Sequence, residues 1–404
     1  MRSLCAGCAA LWLAMCLGLP SVDAQQTSRF LAWNDGSLVA GGNGLYQGKF
    51  GGRVMFDVAS FEQKDVLDDT YGLPNQGYEW RRLRVFHSGK IHSFRYKFQV
   101  EFSKEYAFIE DMYVEATKLP VVGNVRVGHM KEPFLFEMQS SSKHVLFMER
   151  ALTTMFSSGR NLGIMLHNQV SGTDFYWAFG AFRNGLFDVV GKSHHFGYNV
   201  AGRFSGLLAR NDDLSKFVHA GVGLKFSTFD DRTLSLSSRP ESHLAHKYLS
   251  SGTIEAVRNM TSLSSELVLQ SGRWSLQTEV VHSIVQPERS VSRSAYNFAA
   301  GTAQIGCFLT NDRRNYKNGN SGFGRIRPTN NLFAGGIGAI EAVMRYSRAD
   351  LDSHDIHGQT LRNISLGFNW YPNSITRISV NKIYARIVNM GDARIYQMRF
   401  QLAI

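Results

Sequence analysis

The eleven residues from His92 to Phe102 constrain this chain most. Phe94, Tyr96, Phe98, Val100 and Phe102 take every second position, and Ser93, Arg95, Lys97, Gln99 and Glu101 take the positions between them. A period of two belongs to a β-strand, whose side chains alternate between faces, and not to a helix. Such a strand needs an apolar medium on one side and water on the other. In a soluble sandwich the polar face is the outside. In a closed barrel within a membrane it lines the inside.

The pattern recurs along the chain. Val54, Phe56 and Val58 oppose Arg53, Met55 and Asp57, and Leu83 and Val85 oppose Arg82 and Arg84. Val218, Ala220, Val222, Leu224 and Phe226 oppose His219, Gly221, Gly223 and Lys225. At the end of the chain Tyr396, Met398, Phe400, Leu402 and Ile404 oppose Gln397, Arg399 and Gln401. Some connections are tight, as at Ser171-Gly172-Thr173 and Tyr371-Pro372-Asn373-Ser374, whereas 230–262 is polar and reads as an outer loop, and 311–331, rich in Gly, Asn and Arg, reads as a loop again. With the weaker runs included, the chain predicts about 16 strands in an all-β, antiparallel transmembrane barrel, an even number joined by alternating short and long connections. After residue 24 no apolar run reaches about 18 residues, so no transmembrane helix is expected. The 38 glycines and 12% aromatic residues suit a barrel with aromatic girdles.

Residues 1–24 read as a cleaved secretory signal, with a basic start (Met1-Arg2-Ser3), an apolar stretch from Leu4 to Leu19, and Val22-Asp23-Ala24 before the cut. Residues 25–49 are Gly-rich and polar, a loose N-terminal segment, and 50–404 form one barrel domain. Cys5, Cys8 and Cys16 leave with the signal and Cys307 stays alone, so no internal disulfide holds the mature chain. The net charge is +11 with or without the signal, since Arg2 and Asp23 cancel. A basic balance favours phosphate-like solutes, nucleic acid or lipid headgroups, and export argues against nucleic acid.

One connection stands apart. Between a strand ending at Met130 and another starting at Leu162 lie about 25 residues with no clear period of either kind, long enough to suggest a functional loop. It carries Lys143, His144, Glu149, Arg150 and Arg160 among Ser and Phe. The expectation is a loop folded into the pore. Lys143, Arg150 and Arg160 then stand near the narrowest point, and Arg95, Lys97, Arg203, Lys225, Arg345 and Arg377 on inward strand faces along an anion path. A few cations that no acid neutralises raise the local anion density in a channel. The alternative is a lumen in which Asp57, Glu101, Asp111, Glu266, Glu279 and Glu341 neutralise them. Glu137 and Glu149 are candidate anchors of the loop, and anchoring competes with anion binding as the role of Arg150 and Arg160.

Other chemistry finds little support. The pairs His194/His195, His243/His246 and His354/His357 lie in polar segments without a Cys beside them, so neither a metal site nor a cofactor is expected. There is no Gly-x-Ser-x-Gly, and no enzyme is expected. The Gly-rich stretch 318–324 lacks a nucleotide loop's flanking strand, helix and Gly-Lys-Ser/Thr ending, and reads as a surface loop.

Several segments, in this order, resemble the phosphate-selective porin O/P family of Gram-negative outer membranes. They are Phe50-Gly51-Gly52-Arg53 with Asp57, Glu79-Trp80-Arg81-Arg82-Leu83-Arg84, Arg126 to Phe134, Phe147-Met148-Glu149-Arg150-Ala151-Leu152, and Arg160-Asn161-Leu162-Gly163. Arg239-Pro240-Glu241-Ser242-His243, Phe308-Leu309-Thr310 and Asn369-Trp370-Tyr371-Pro372 follow. The resemblance implies a homotrimer of 16-stranded barrels in contact with outer-membrane lipid and lipopolysaccharide, with 137–160 as the constriction loop. It implies passive diffusion of small anions, phosphate or polyphosphate among them. A general diffusion porin without a phosphate site, or a structural or adhesive surface barrel, are the alternatives. The chain departs from the family in ending on Ile404, with Phe400 four residues earlier, and in Asn311 after Thr310.

Overall fold

The computed structural model describes residues 31–34, 37–42, 46–72, 76–184, 197–317 and 322–404, and for 31–42 and 184 the backbone alone. The signal segment, His194 and His195 lie outside these residues. In chain order the strands are β1 (Leu31–Asn34), β2 (Ser37–Gly42), β3 (Tyr46–Gln63), β4 (Gly77–Ile91), β5 (Phe94–Glu101), β6 (Phe108–Leu119), β7 (Gly123–Lys131), β8 (Arg160–Gln169), β9 (Phe175–Asn184) and β10 (Gly197–Arg210). They continue as β11 (Lys216–Thr228), the two-residue pair β12 (Ser237–Ser238) and β13 (Leu249–Ser250), β14 (Val257–Ser271), β15 (Trp274–Pro287), β16 (Tyr296–Phe308), β17 (Ala339–Ser353), β18 (Ile356–Tyr371), β19 (Thr376–Ile387) and β20 (Gly391–Ala403).

Sixteen of these, β3–β11 and β14–β20, pair antiparallel with their chain neighbours and close into a barrel. The closing seam joins β20 to β3, from Ala403↔Arg53 to Ala393↔Gln63. The segment 25–49, expected to be loose, supplies the β1–β2 hairpin, and β2 pairs with Tyr46–Phe50 where β3 runs past the end of β20.

The alternation has its expected sense. Phe94 is 54% and Val222 53% exposed on the outside; Ile364, Leu366 and Phe368 are exposed too, while Asn363, Ser365 and Asn369 on the alternate positions are buried inside. No helix among the described residues is long and apolar enough to cross a membrane. The barrel crosses with strands.

Of the register shifts between paired strands, two set the charge of the lumen. Between Met55↔Arg82 and Phe56↔Trp80 the extra residue is Arg81, so Arg81 and Arg82 both face the lumen. Between Gln99↔Asp111 and Val100↔Ile109 the extra residue is Glu110, so Glu110 and Asp111 both do. An inserted residue re-aims its neighbours in this way, and each bulge places two like charges side by side in the lumen.

Connections 64–76, 102–107, 132–159, 229–256 and 288–295 share one end of the barrel. Most turns at the other end are short, with one exception, 309–338 between β16 and β17. Two expectations need correction here. The long polar connections 230–262 and 311–331 are not simply surface loops. Leu234, Leu236, Tyr248 and Ile254 are buried in the largest apolar cluster, and residues 257–262 belong to β14. Tyr316 and Phe323 are buried beside Phe136, so the part of 318–324 that is described faces inward. The physical reason is the same for both: each carries a few aromatic or aliphatic side chains that find cover inside a wide barrel.

Candidate functional site

The segment 132–159 runs inside the barrel, with a helical turn at Phe136–Gln139 and a 3-10 turn at Leu152–Phe156. It is two-sided. Phe136, Leu146, Phe147, Leu152 and Phe156 are buried. Toward the opposite side lie Gln139, Ser140, Ser141, Ser142, His144 and Arg150. Close approach needs small wall residues: a Cβ on Gly223 would stand 3.1 Å from the Phe134 ring.

Cations of the wall hold the loop by its backbone carbonyls. Arg377 donates to Val145 O at 2.7 Å and Leu146 O at 2.6 Å, Arg314 to His144 O at 2.8 Å, Arg345 to Glu149 O at 2.9 Å, and Lys225 to Phe156 O at 2.5 Å. Arg399 donates to Met148 O. Lys131 donates to Met138 O, Gln139 O and Ser140 O at 2.6–3.2 Å. Carboxylates complete the attachment. Glu137 accepts from Arg345 at 3.1 Å and from Ala151 N at 2.9 Å. Glu149 bridges Arg81 at 2.8 Å and Arg399 at 2.7 Å. Burial raises the Glu149 carboxyl, but Arg81 and Arg399 outweigh it and hold the group well below the usual carboxylate range.

The loop leans on β11 and β14–β20 and leaves a cavity of about 370 Å³ against β3–β10. Among the described residues ten Lys and Arg side chains line this cavity, against two carboxylates, Glu110 and Asp111. Some of the cations are matched. Arg160 reaches Glu110 at 2.5 Å and Asp111 at 2.6 Å, Lys97 pairs with Asp111, Arg84 with Glu101 and Glu110, Arg126 with Glu115, and Arg203 with Glu266. Arg53, Arg82, Lys131, Arg150 and Lys317 have no carboxylate within ion-pair distance among the described residues. Arg53 instead donates to Ser142 Oγ at 2.7 Å, and Arg150 to Glu137 O at 3.0 Å and Ser140 O at 2.8 Å. Buried Arg82 Nε has no hydrogen-bond partner.

Arg82 and Arg150 also line a second cavity of about 350 Å³ toward the long-loop end. That one shares Arg239, His243 and Lys247 with a third, of about 650 Å³. At the opposite end the first cavity is bounded by Lys317, Gly322 and Phe323 of the 309–338 connection. The two inserted segments therefore meet from opposite ends, Phe136 against Phe323 with ring centroids 5.6 Å apart.

The residues singled out in the sequence divide into groups. Lys97, Arg150, Arg160 and Arg203 line the cavity. Lys143 lies on the loop, its ammonium 5.7 Å from the Phe86 ring. Lys225, Arg345 and Arg377 are buried and spent on the loop's carbonyls. Arg95 stands away from the cavity at the short-turn end, its side chain 57% exposed and 3.3 Å from Glu115. Arg53, Arg82, Arg84 and Lys131 were not among those candidates, although Arg53, Arg82 and Arg84 sit on faces that alternation assigns inward. Among the described residues no group of three or more His, Cys, Asp or Glu is placed to hold a metal ion, and His243 instead meets Glu79 at 2.7 Å.

Solved structures share this architecture. An anion-selective porin from Comamonas acidovorans superposes with a TM-score of 0.56 at 12% identity, over 89% of this chain and 100% of that one. Outer-membrane expressed OmpT of Vibrio cholerae gives 0.56 at 10%, over 90% and 99%. OmpT of the same organism in a trimer form gives 0.54 at 11%, over 88% and 99%. At such identities these likenesses establish the fold. A Caulobacter vibrioides protein described as uncharacterized is 25% identical over 366 residues, 87% of this chain and 70% of the relative. The profile of the family described as phosphate-selective porin O and P matches residues 49–404, all of the barrel but the first three residues of β3, and the chain belongs to that family of outer-membrane porins.

Proposed function

We propose that the protein is a diffusion channel for small anions, phosphate among them, whose selective element is the cavity between the 132–159 loop and the β3–β10 wall. One observation carries this reading: among the described residues five cations without a paired carboxylate face a space where ten Lys and Arg side chains meet only two carboxylates. An anion there meets Arg forks and Lys point charges, and Arg suits phosphate because it binds two oxygens at once. The matched cations fix the geometry, and the surplus supplies the attraction. Arg82 and Arg150, shared by adjoining cavities, form the step between the outer vestibule and the site. Release is as necessary as binding, and the carboxylates of Glu110 and Asp111 limit how tightly an anion is held. Family membership and the trimer form of one structural relative support a homotrimer.

Planar-bilayer recording tests the proposal. In a chloride gradient the reversal potential is expected to show anion preference, and millimolar phosphate is expected to block chloride current. Cation preference would refute the reading. Chloride current indifferent to phosphate would leave a general diffusion porin, and folded protein without conductance a structural barrel.

A pH effect follows from Lys143. Burial, and then the charges of Arg53, Arg325, Lys49 and Lys317, lower its pKa to about 6. The group is thus largely neutral at pH 7 and gains its charge as pH falls through about 6. Anion preference measured with chloride is expected to rise from pH 8 to pH 5, and Lys143→Met is expected to flatten that rise. An unchanged profile in the variant would place the titrating group elsewhere.

A further inference from the structure

Near the long-loop end, four neighbouring strands turn basic side chains outward, away from the lumen. Arg348 on β17 stands directly opposite Arg362 on β18, and Arg362 directly opposite Arg386 on β19. The next row toward the other end holds Tyr346, Ile364 and Tyr384, with Arg394 of β20 opposite Tyr384. The row after that holds Met344, Leu366 and Lys382, with Tyr396 opposite Lys382. The outward direction is clear from burial. Exposed Tyr346, Ile364, Leu366, Phe368, Val380 and Met398 share these faces, while Ser347, Asn363, Ala385 and Ile395 on the alternate positions are buried.

Like charges directly opposite one another in an antiparallel pair destabilise it, so the row of guanidinium groups calls for counter-charge. The protein supplies part of it. Asp350 meets Arg348 at 3.0 Å, Glu62 lies 3.7 Å from Arg394, and Asp392 of β20, directly opposite Arg386, is engaged by Lys64 at 2.7 Å. Among the described residues neither the Arg362 nor the Arg386 guanidinium has a hydrogen bond or ion pair with another group of the chain. The patch also sits at a defined height. It begins where the apolar belt and its tyrosines end, and the hairpins above it, at 354–355 and 388–390, are too short to cover it. Long loops face outward in such barrels and short turns face the periplasm, which puts the arginines at the headgroup level of the outer leaflet.

We propose that the outward face of β17–β20 docks a phosphorylated glycolipid headgroup of the outer leaflet, of the bis-phosphorylated lipid A type. Arg348, Arg362 and Arg386 take its phosphate oxygens, Lys382 and Arg394 extend the charged patch, and the acyl chains lie along Leu366, Phe368 and Met398. A phosphate group that comes with acyl chains satisfies both halves of the surface, whereas free phosphate satisfies only the upper half.

The test uses the full folded protein in detergent micelles, with native mass spectrometry counting bound bis-phosphorylated lipid A. Arg362→Gln/Arg386→Gln is expected to weaken retention at least tenfold, Arg362→Lys/Arg386→Lys by only a few fold, and lipid A stripped of both phosphates is expected to bind as poorly to the unaltered protein as the intact lipid does to the Gln variant. Unchanged single-channel conductance of both variants reports that the barrel is folded. Equal retention by the Gln variant and the unaltered protein overturns the proposal, as does equal binding of the stripped lipid. Displacement of the lipid by millimolar inorganic phosphate would assign the patch to free phosphate instead. Loss of oligomer with lipid retention unchanged would make it a contact between copies.

Discussion

A channel carrying Arg53→Gln and Arg82→Gln is expected to lose phosphate block of its chloride current by about 10²-fold or more. The two side chains supply charge to the cavity from adjacent strands, without a paired carboxylate among the described residues. Each charge-assisted hydrogen bond to a bound anion contributes roughly 1.5–3 kcal/mol. Losing two removes about 3–6 kcal/mol, and each 1.4 kcal/mol is roughly tenfold in affinity. Lys97→Gln supplies the contrast, because Lys97 is already paired with Asp111. Removing it frees part of a carboxylate that Arg160 still holds at 2.6 Å, so a loss below about tenfold is expected. The measurement is the concentration of phosphate that halves chloride current at fixed voltage, in variants that show the folded barrel's heat-modifiable mobility. Equal losses from Lys97→Gln and from the double variant would mean that the uncompensated charges are not where the anion binds.

That contrast depends on a distinction invisible in the sequence. Alternation at Gly52–Phe61, Glu79–Phe86 and His92–Phe102 assigns strands and faces, and the barrel's sixteen strands come in the expected order. Period two is a local property, set by the pleat of each strand. Which inward cation is free and which is engaged is not local. Lys225, Arg345 and Arg377 share the inward faces expected of them, but their partners lie 69 to 232 residues away on the inserted loop. Strict alternation also fails at the bulges in β4 and β6. It places Arg81 and Arg82, or Glu110 and Asp111, on opposite faces, whereas one extra residue in each strand turns both inward. The 309–338 connection misleads for a third reason. Its Gly, Asn and Arg content matches an exposed loop, yet Arg314 binds Glu341 at 2.6 Å and Tyr316 meets His219 at 2.9 Å within the barrel. A doubled charge such as Arg81-Arg82 or Glu110-Asp111, interrupting a period-two run, is the one signal that could have marked the cavity in advance.

Arg345→Met is expected to damage both the fold and the constriction, and the two effects can be separated. Arg345 is 1% exposed; it binds Glu137 at 3.1 Å, Gln304 Oε1 at 2.8 Å and Glu149 O at 2.9 Å, and lies 3.4 Å from Glu241. Its guanidinium stacks over Phe147 of the loop, 4.3 Å from the ring centre. Met retains some packing volume but strands the Glu137 carboxylate, which is itself 1% exposed. Removing one partner of a buried ion pair costs about 3–5 kcal/mol, most of it the burden of the remaining unpaired charge. The expected readout is a lower denaturant midpoint in detergent. Removing both charges, as in Glu137→Gln/Arg345→Met, is expected to recover much of that loss, because a buried pair contributes little net stability relative to uncharged groups of similar size. Conductance is expected to behave differently. Both variants cut the tie between β17 and the loop at Glu137 and Glu149, so both are expected to show larger, noisier channels and weaker phosphate block even where stability returns. If the double variant regained the original conductance along with its stability, the Arg345 contacts would be a prop of the barrel wall and the loop would be positioned by Arg377, Arg399 and Lys225 without them.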